Sequence, residues 1–189
     1  RSMRSQHSPQ GDAALEAAAL LEYPHQVYVG HTDQLNGVAF SPNGKYVLSA
    51  GFAGVPRLWD AVTGKELRQL PRFPGQTGGS ARVVFSPDSK YALISAREGA
   101  RLWDVETGTE VYRFTDITMG ARAPEFSPDG KYVVIGDGGG VVHVIDFQTR
   151  KELRRFTAHE AIIWGIAFSP DGKYVVTGGE DMTARLWDI

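Results

Sequence analysis

Apolar and polar positions alternate along most of this chain in short runs, and polar turns cut the runs at regular intervals. Four runs end in phenylalanine just before Ser-Pro: "LNGVAF" (35–40), "ARVVF" (81–85), "RAPEF" (122–126) and "IIWGIAF" (162–168). Each predicts a strand stopped by proline, which has no N–H to give to a ladder. A second set follows after a few residues: "YVLSA", "YALIS", "YVVIG" and "YVVTG". These are β-branched and aromatic, so they predict strands as well. A third set reads "PRLWD", "ARLWD", "VHVID" and "ARLWD". A fourth appears three times, as "KELRQL", "TEVYRF" and "KELRRF". Its apolar and polar residues alternate, as expected of an outer strand with one face in water.

The turns repeat with the strands. The phrase Ser-Pro-Asn/Asp-Gly/Ser-Lys-Tyr begins at Ser41, Ser86, Ser127 and Ser169, at spacings of 45, 41 and 42 residues. Asn or Asp followed by Gly enters a left-handed turn at little cost, so the phrase predicts a tight connection between first and second strands. Thr63-Gly64 and Thr107-Gly108 mark the next turn, with "QTRKEL" as a degenerate third version. Histidines at Gly30-His31 and Ala158-His159 each stand 28 residues before a tryptophan, Trp59 and Trp187. A period near 42 residues with four strands per unit predicts an all-β repeat fold. Before the repeats, Asp12 and the Ala/Leu run to Leu21 predict a short helix capped by Asp12 and halted at Pro24. The expected organisation is a disordered tail or tag remnant over 1–11, helix and linker over 12–25, and repeats over 26–189.

Composition removes several chemistries. The 189 residues carry a net charge of −2 and no cysteine. Disulfides, thiolate catalysis and zinc–thiolate sites are therefore excluded. Near-neutral charge disfavours nucleic acid as the main partner, and no apolar run reaches the roughly 20 residues of a membrane helix. Every Gly-Lys pair lies in a turn, and none is followed by Ser or Thr, so no phosphate-binding loop is present. "GDGGG" (136–140) has no helix after it and is not a dinucleotide fingerprint. The five histidines show no metal-ligand spacing, and His143, on an alternating strand where other repeats carry Arg, is expected to face solvent. Glu180-Asp181 is the one adjacent acid pair of interest, but neighbouring residues at a strand end point apart. No cofactor, no metal and no enzymatic activity are expected.

The period, the Trp-Asp endings and the Gly-His dipeptide resemble the WD-repeat family of β-propellers over residues 26–189. The resemblance implies four-stranded antiparallel blades, four per chain. It also implies a buried relay of His, Ser/Thr, Asp and Trp in each blade. The fourth repeat has all four members in His159, Thr177, Asp181 and Trp187. The first has His31, Ser49 and Trp59, with Ala53 in the aspartate's place. The second keeps Trp103, and the third has Ile145 where Trp belongs. These positions are expected to be structural. The family docks peptides or protein segments on one face, which carries over to Asn36, Ala81, Arg122 and Trp164 at the starts of first strands. After the second strands it carries over to Phe52, Ala96 and Glu180. The implied function is a non-catalytic scaffold with a protein or peptide partner, in the cytoplasm. Alternatives are a self-assembling structural unit and a small-molecule site in the central channel.

Four blades are fewer than the family usually has. Gln26–Val29 aligns with the fourth strands, and the last repeat has none after "ARLWDI". Two closures are open: a four-bladed ring sealed by the chain's own Gln26–Val29, or two chains forming eight blades, each lending that strand to the other. The shallower angle per blade favours the homodimer. A fragment of a longer propeller is the third possibility.

Overall fold

The computed structural model describes residues 25–52, 55–73, 81–117 and 119–189. The expected helix and tail lie outside these residues, apart from His25. Four antiparallel sheets follow one another along the chain. The first contains β1 (Leu35–Phe40), β2 (Tyr46–Gly51), β3 (Arg57–Asp60) and β4 (Glu66–Gln69). The second contains β5 (Arg82–Phe85), β6 (Tyr91–Ala96), β7 (Gly99–Asp104) and β8 (Glu110–Phe114). The third contains β9 (Ala121–Phe126), β10 (Tyr132–Asp137), β11 (Val141–Asp146) and β12 (Glu152–Thr157). The fourth contains β13 (Ile163–Phe168), β14 (Tyr174–Gly179) and β15 (Ala184–Asp188). Each is a simple meander, so every strand pairs with its sequence neighbours. The expectation of four strands in every sheet holds for the first three. The fourth has three, and residues 26–29 are extended without pairing to it.

The repeated turn closes by side chain as well as backbone. In the first copy the Ser41 hydroxyl donates to Asn43 Oδ1 at 2.8 Å and accepts from the Tyr46 N–H at 2.9 Å. Ser86, Ser127 and Ser169 make the same pair of bonds. Gly44, Gly130 and Gly172 all sit near φ +71° or +72°, and the second copy puts Ser89 there instead, at φ +63°. A serine tolerates this left-handed position at some cost. Its hydroxyl accepts from the Asn43 N–H of the preceding sheet at 3.0 Å, which ties the two sheets at their rims. The second turn is held by an aspartate: Asp60, Asp104 and Asp146 each accept from the N–H and hydroxyl of the threonine three residues on.

Packing between sheets follows one rule. Each sheet presents the same positions to its successor and another set to its predecessor. Leu48 and Leu58 of the first sheet meet Val83, Phe85, Ala92 and Trp103 of the second. Leu93 and Leu102 meet Phe126, Val133 and Ile145 of the third. Val134 and Val144 meet Ile166, Phe168 and Val175 of the fourth. Three apolar clusters therefore join four sheets in series, and among the described residues no such cluster joins the fourth to the first. The corresponding positions at the two ends lie open. Val38 is 68% and Phe40 66% exposed on the first sheet, and Leu186 is 68% exposed on the fourth, with Val176 and Tyr174 beside it. Fully burying an aliphatic or aromatic side chain is worth about 1.5–3 kcal/mol, so each open end is a sizeable unused surface.

Candidate functional site

Hydrogen bonds within the fourth sheet link four elements. Asp181, in the turn after β14, accepts from His159 Nδ1 at 2.8 Å. His159 Nε2 meets Thr177 Oγ1 at 2.7 Å, and Trp187 Nε1 donates to the same oxygen at 2.9 Å. The cross-strand register places these groups: Thr177 stands opposite Arg185, and Val175 opposite Trp187. Burial by itself would raise the Asp181 carboxyl, but hydrogen bonds from Thr183 and His159 hold it down at about 2. In the first sheet His31 Nε2 meets Ser49 Oγ at 2.6 Å, and Trp59 Nε1 donates to it at 2.7 Å. Burial and the nearby Arg57 guanidinium lower the His31 pKa.

The two middle sheets replace the polar chain with apolar residues. In the second, Ile94 occupies the place of Ser49 and Phe73 that of His31, both buried. Trp103 stays in place, and its Nε1 is buried with no partner. In the third, Ile117, Ile135 and Ile145 fill the histidine, hydroxyl and tryptophan places, and all three lie in one cluster. Replacing a whole network by apolar groups avoids the orphaned donors that partial replacement leaves.

His143 corrects an expectation. It is 4% exposed, not solvated. Its Nε2 lies 3.4 Å from Asp137 and its Nδ1 3.4 Å from Glu152. Asp137 also accepts from the N–H groups of Gly139 and Val141 in the glycine-rich turn. The first two sheets show the same arrangement with arginine, pairing Arg57 with Glu66 and Arg101 with Glu110. The register of the third and fourth strands produces these pairs, and the sequence signal was the Glu beginning each outer strand. In the fourth sheet Arg185 has no outer strand beside it and turns to Asp181 at 3.1 Å and to the Ala158 carbonyl at 2.7 Å. Among the described residues no group of three His, Asp or Glu side chains is placed to hold a metal ion.

The residues expected to bind a partner fall at one end of the sheets. Leu35 pairs with Gly51 and Ile163 with Gly179, so starts of first strands adjoin ends of second strands. The Phe52 N–H donates to the Gln34 carbonyl and the Glu180 N–H to the Ile162 carbonyl, both at 2.9 Å. Phe52 and Glu180 are exposed, while Asn36 and Arg122 are half-buried. Ala81 and Ala96 are buried instead, within the cluster between the first two sheets, and offer no surface. Arg122 and Trp164 come together: the guanidinium lies 5.6 Å from the ring centroid, and Trp164 is 44% exposed. Arg122 Nε and Asn36 Oδ1 are both buried without a hydrogen-bond partner. Glu125, not singled out from the sequence, is on the same strand as Arg122. Ala39 and Val84, which share its register, pack toward the following sheet. Burial pushes its carboxyl up to about 7.

The sequence profile described as "WD domain, G-beta repeat" matches residues 22–60 and 150–188. The first and fourth repeats of the chain are WD repeats. Its middle two repeats, outside those matches, are the ones whose polar relay has become apolar. A relative named "Small ribosomal subunit protein RACK1", from Brassica napus, is 33% identical over 82 residues, which are 43% of this chain and 24% of that one. The match thus spans about a quarter of the relative's length. Among solved structures, the computationally designed Ika4 protein is similar with a TM-score of 0.74 and 26% identity, over 86% of this chain and 96% of that chain. The computationally designed Ika8 protein is similar with a TM-score of 0.72 and 27% identity, over 85% of this chain but 47% of that one. The four sheets are propeller blades, and the fold is all-β.

Proposed function

We propose that this WD-repeat arc is a non-catalytic interaction scaffold, binding a protein or peptide segment at the rim formed by Asn36, Phe52, Arg122, Trp164 and Glu180. The observation that carries the reading is the Arg122–Trp164 pair. Two adjacent blades bring together the residue types most enriched at binding hot spots, with the indole face accessible and one guanidinium N–H without a partner. A relative named as a ribosomal-subunit protein supports work within a larger assembly, and the reading places the chain in the cytoplasm. The test is capture of binding partners by the wild type and by Arg122→Ala with Trp164→Ala, both checked for an unchanged circular dichroism spectrum. Partners lost by the variant support the site. An unchanged set of partners overturns it.

A second reading is favoured by the open ends: two copies close into an eight-bladed ring. The exposed Val38 and Phe40 of the first blade and Val176 and Leu186 of the fourth are the two halves of the contact that joins every other pair of blades. Light scattering after size exclusion tests it. Twice the chain mass, persisting on dilution, supports the homodimer, and a monomer at all concentrations removes it.

A further inference from the structure

Most charged groups of the chain are answered from within it. Arg57, Arg101 and Arg185 pair with carboxylates. Arg68 and Arg154 donate to backbone carbonyls of the following blade. At the Ser-Pro turns Lys90, Lys131 and Lys173 lie 3.0–4.0 Å from Asp88, Asp129 and Asp171. Arg82, Arg97 and Arg122 are different. Among the described residues none of their side chains has a carboxylate or carbonyl partner, and all three stand at the end of the sheets opposite the Ser-Pro turns. They belong to the second and third blades, which have a neighbour on either side, so this surface is complete within the chain.

Strand register brings the three together. Arg82 stands opposite Ser95, so their side chains share one face of the second blade. The Ser95 hydroxyl lies 3.5 Å from the Arg122 carbonyl, which makes that face the one turned toward the third blade. Arg97 lies in the turn after β6, against the segment that leads into β9: a Cβ on Gly120 would stand 2.9 Å from the Arg97 carbonyl oxygen. Arg97 follows Tyr91 by the six residues that separate Phe52 from Tyr46 and Glu180 from Tyr174. Arg97, and not the buried Ala96, is therefore the second blade's exposed position at this rim. Arg122 is aimed by its backbone. Ala123 pairs with Gly136 and Ala121 with Asp137, which leaves Arg122 as the extra residue of a bulge, a feature that redirects a side chain. Its Nε is buried without a partner, and its guanidinium leans on Trp164, which stands in the matching bulge of the fourth blade. The nearby acids point elsewhere. Glu98 lies on the β7 side of its turn, one strand farther from β5, and Asp116 lines a cleft with Tyr112, His143 and Glu152.

We infer that Arg82, Arg97 and Arg122 form an anion-binding surface, and that the segment docked at this rim is an acidic peptide whose carboxylate or phosphoryl groups these arginines take. This rests on the interaction-scaffold reading and specifies the partner's chemistry. A guanidinium presents its donors as a planar fork that matches either anion. Three cations gathered on one rim without a countercharge repel one another, and an anion between them reverses the sign of that interaction. The buried Arg122 Nε adds a donor that an acceptor from the partner would satisfy. A peptide fits better than a nucleic acid. The cations span two blades only, the lysines of the Ser-Pro turns lie at the other end, and the whole chain carries a net charge of −2.

The experiment selects binders to the full-length chain from a displayed library of random nonapeptides. Enriched sequences are then made as labelled soluble peptides, with each acidic residue also replaced by its amide or by phosphoserine. The expected result is enrichment of sequences with at least two acidic residues. Their affinity falls about tenfold with Arg82→Gln and about tenfold with Arg97→Gln. It is unchanged by Lys45→Gln at the opposite rim. Arg82 and Arg97 are exposed, so both variants are expected to keep the wild-type thermal midpoint. Tighter binding of the phosphoserine form identifies a phosphoryl partner and tighter binding of the acidic form a carboxylate partner, and either supports the site. Enriched peptides without acidic residues, lost on Arg122→Ala with Trp164→Ala, overturn the anion site and leave the scaffold reading standing. No enrichment at all overturns both. A loss with Lys45→Gln equal to that with Arg82→Gln shows attraction to the surface at large and overturns the site. Oligouridine that binds as tightly, with the same dependence on Arg82 and Arg97, overturns the peptide as the partner.

Discussion

A single hydroxyl decides whether two donors in the fourth blade are satisfied. Thr177 Oγ1 meets both His159 Nε2 and Trp187 Nε1. Thr177→Val keeps the shape and removes the acceptor, leaving both ring nitrogens buried and unpaired. The expected loss is about 1–3 kcal/mol for each orphaned group, measured as a shift in the urea midpoint. The apolar version in the third blade predicts the reverse sensitivity. Ile135→Thr places a hydroxyl among Ile117, Ile145 and Val133, where nothing receives it, and destabilises as well. Glu125 gives a pH signature. Its folded-state pKa of about 7 is above the usual carboxylate value, so the folded chain holds this proton after the unfolded chain has released it. Stability from this group is present below pH 4.5 and falls as pH rises toward 7. Glu125→Gln removes that dependence. The difference in urea midpoint between variant and wild type is expected to grow in the variant's favour from pH 5 to pH 8, and a constant difference would contradict it. Asp181 has the opposite sign: held at about 2, it contributes stability above the ordinary aspartate range that is lost as the solution is acidified toward pH 2.

At the scale of the blade, legibility depended on whether a residue's role was local. Turns were legible because Ser41, Asn43 and Tyr46 complete their bonds within six residues, and the copies at Ser86, Ser127 and Ser169 repeat them. The polar relay of the fourth blade has its residues at family positions, so its members could be named from the resemblance. The buried His143 could not. It is buried beside Glu152 on the neighbouring outer strand and Asp137 at the end of the preceding strand, both contacts that exist only once three strands are registered. Blades also differ in how well they are covered. The fourth has three strands and one open face, while the second and third are covered on both sides. Amide hydrogen exchange in a dilute sample is therefore expected to be fastest in β13–β15 and slowest in β6 and β10. Uniform protection across the four blades would show that the fourth is covered in solution.

Across the whole molecule the decisive feature is the pair of unmatched blade faces. Leu186→Glu puts a charge at a position that is buried between other blades, as Leu58, Leu102 and Val144, yet exposed here. In a lone arc the substitution is nearly neutral, because surface changes cost little. In an eight-bladed ring it buries an unpaired carboxylate at both joints. Light scattering is expected to show the wild-type dimer replaced by a folded monomer, with the thermal midpoint of the arc little changed. A variant that stays dimeric would place the contact elsewhere.

The residues by themselves determined the repeat, the strand-and-turn grammar of each blade and the all-β class, because all of these rest on alternation, turn chemistry and spacing within some 40 positions. They also aligned Gln26–Val29 with the fourth strands, as the expected closing strand of the last blade of the same or a second chain, and the structure leaves it outside every sheet. Tertiary structure alone decided where the arc stands open. Closure depends on the angle accumulated over successive blade junctions, and each angle is set by the sizes of side chains meeting across it, such as Leu48 against Val83 and Phe85. Those side chains are distant in sequence, and their fit is a property of the packed pair. The same reason governs Arg122 and Trp164, 42 residues apart, which became one surface only when two blades were laid side by side.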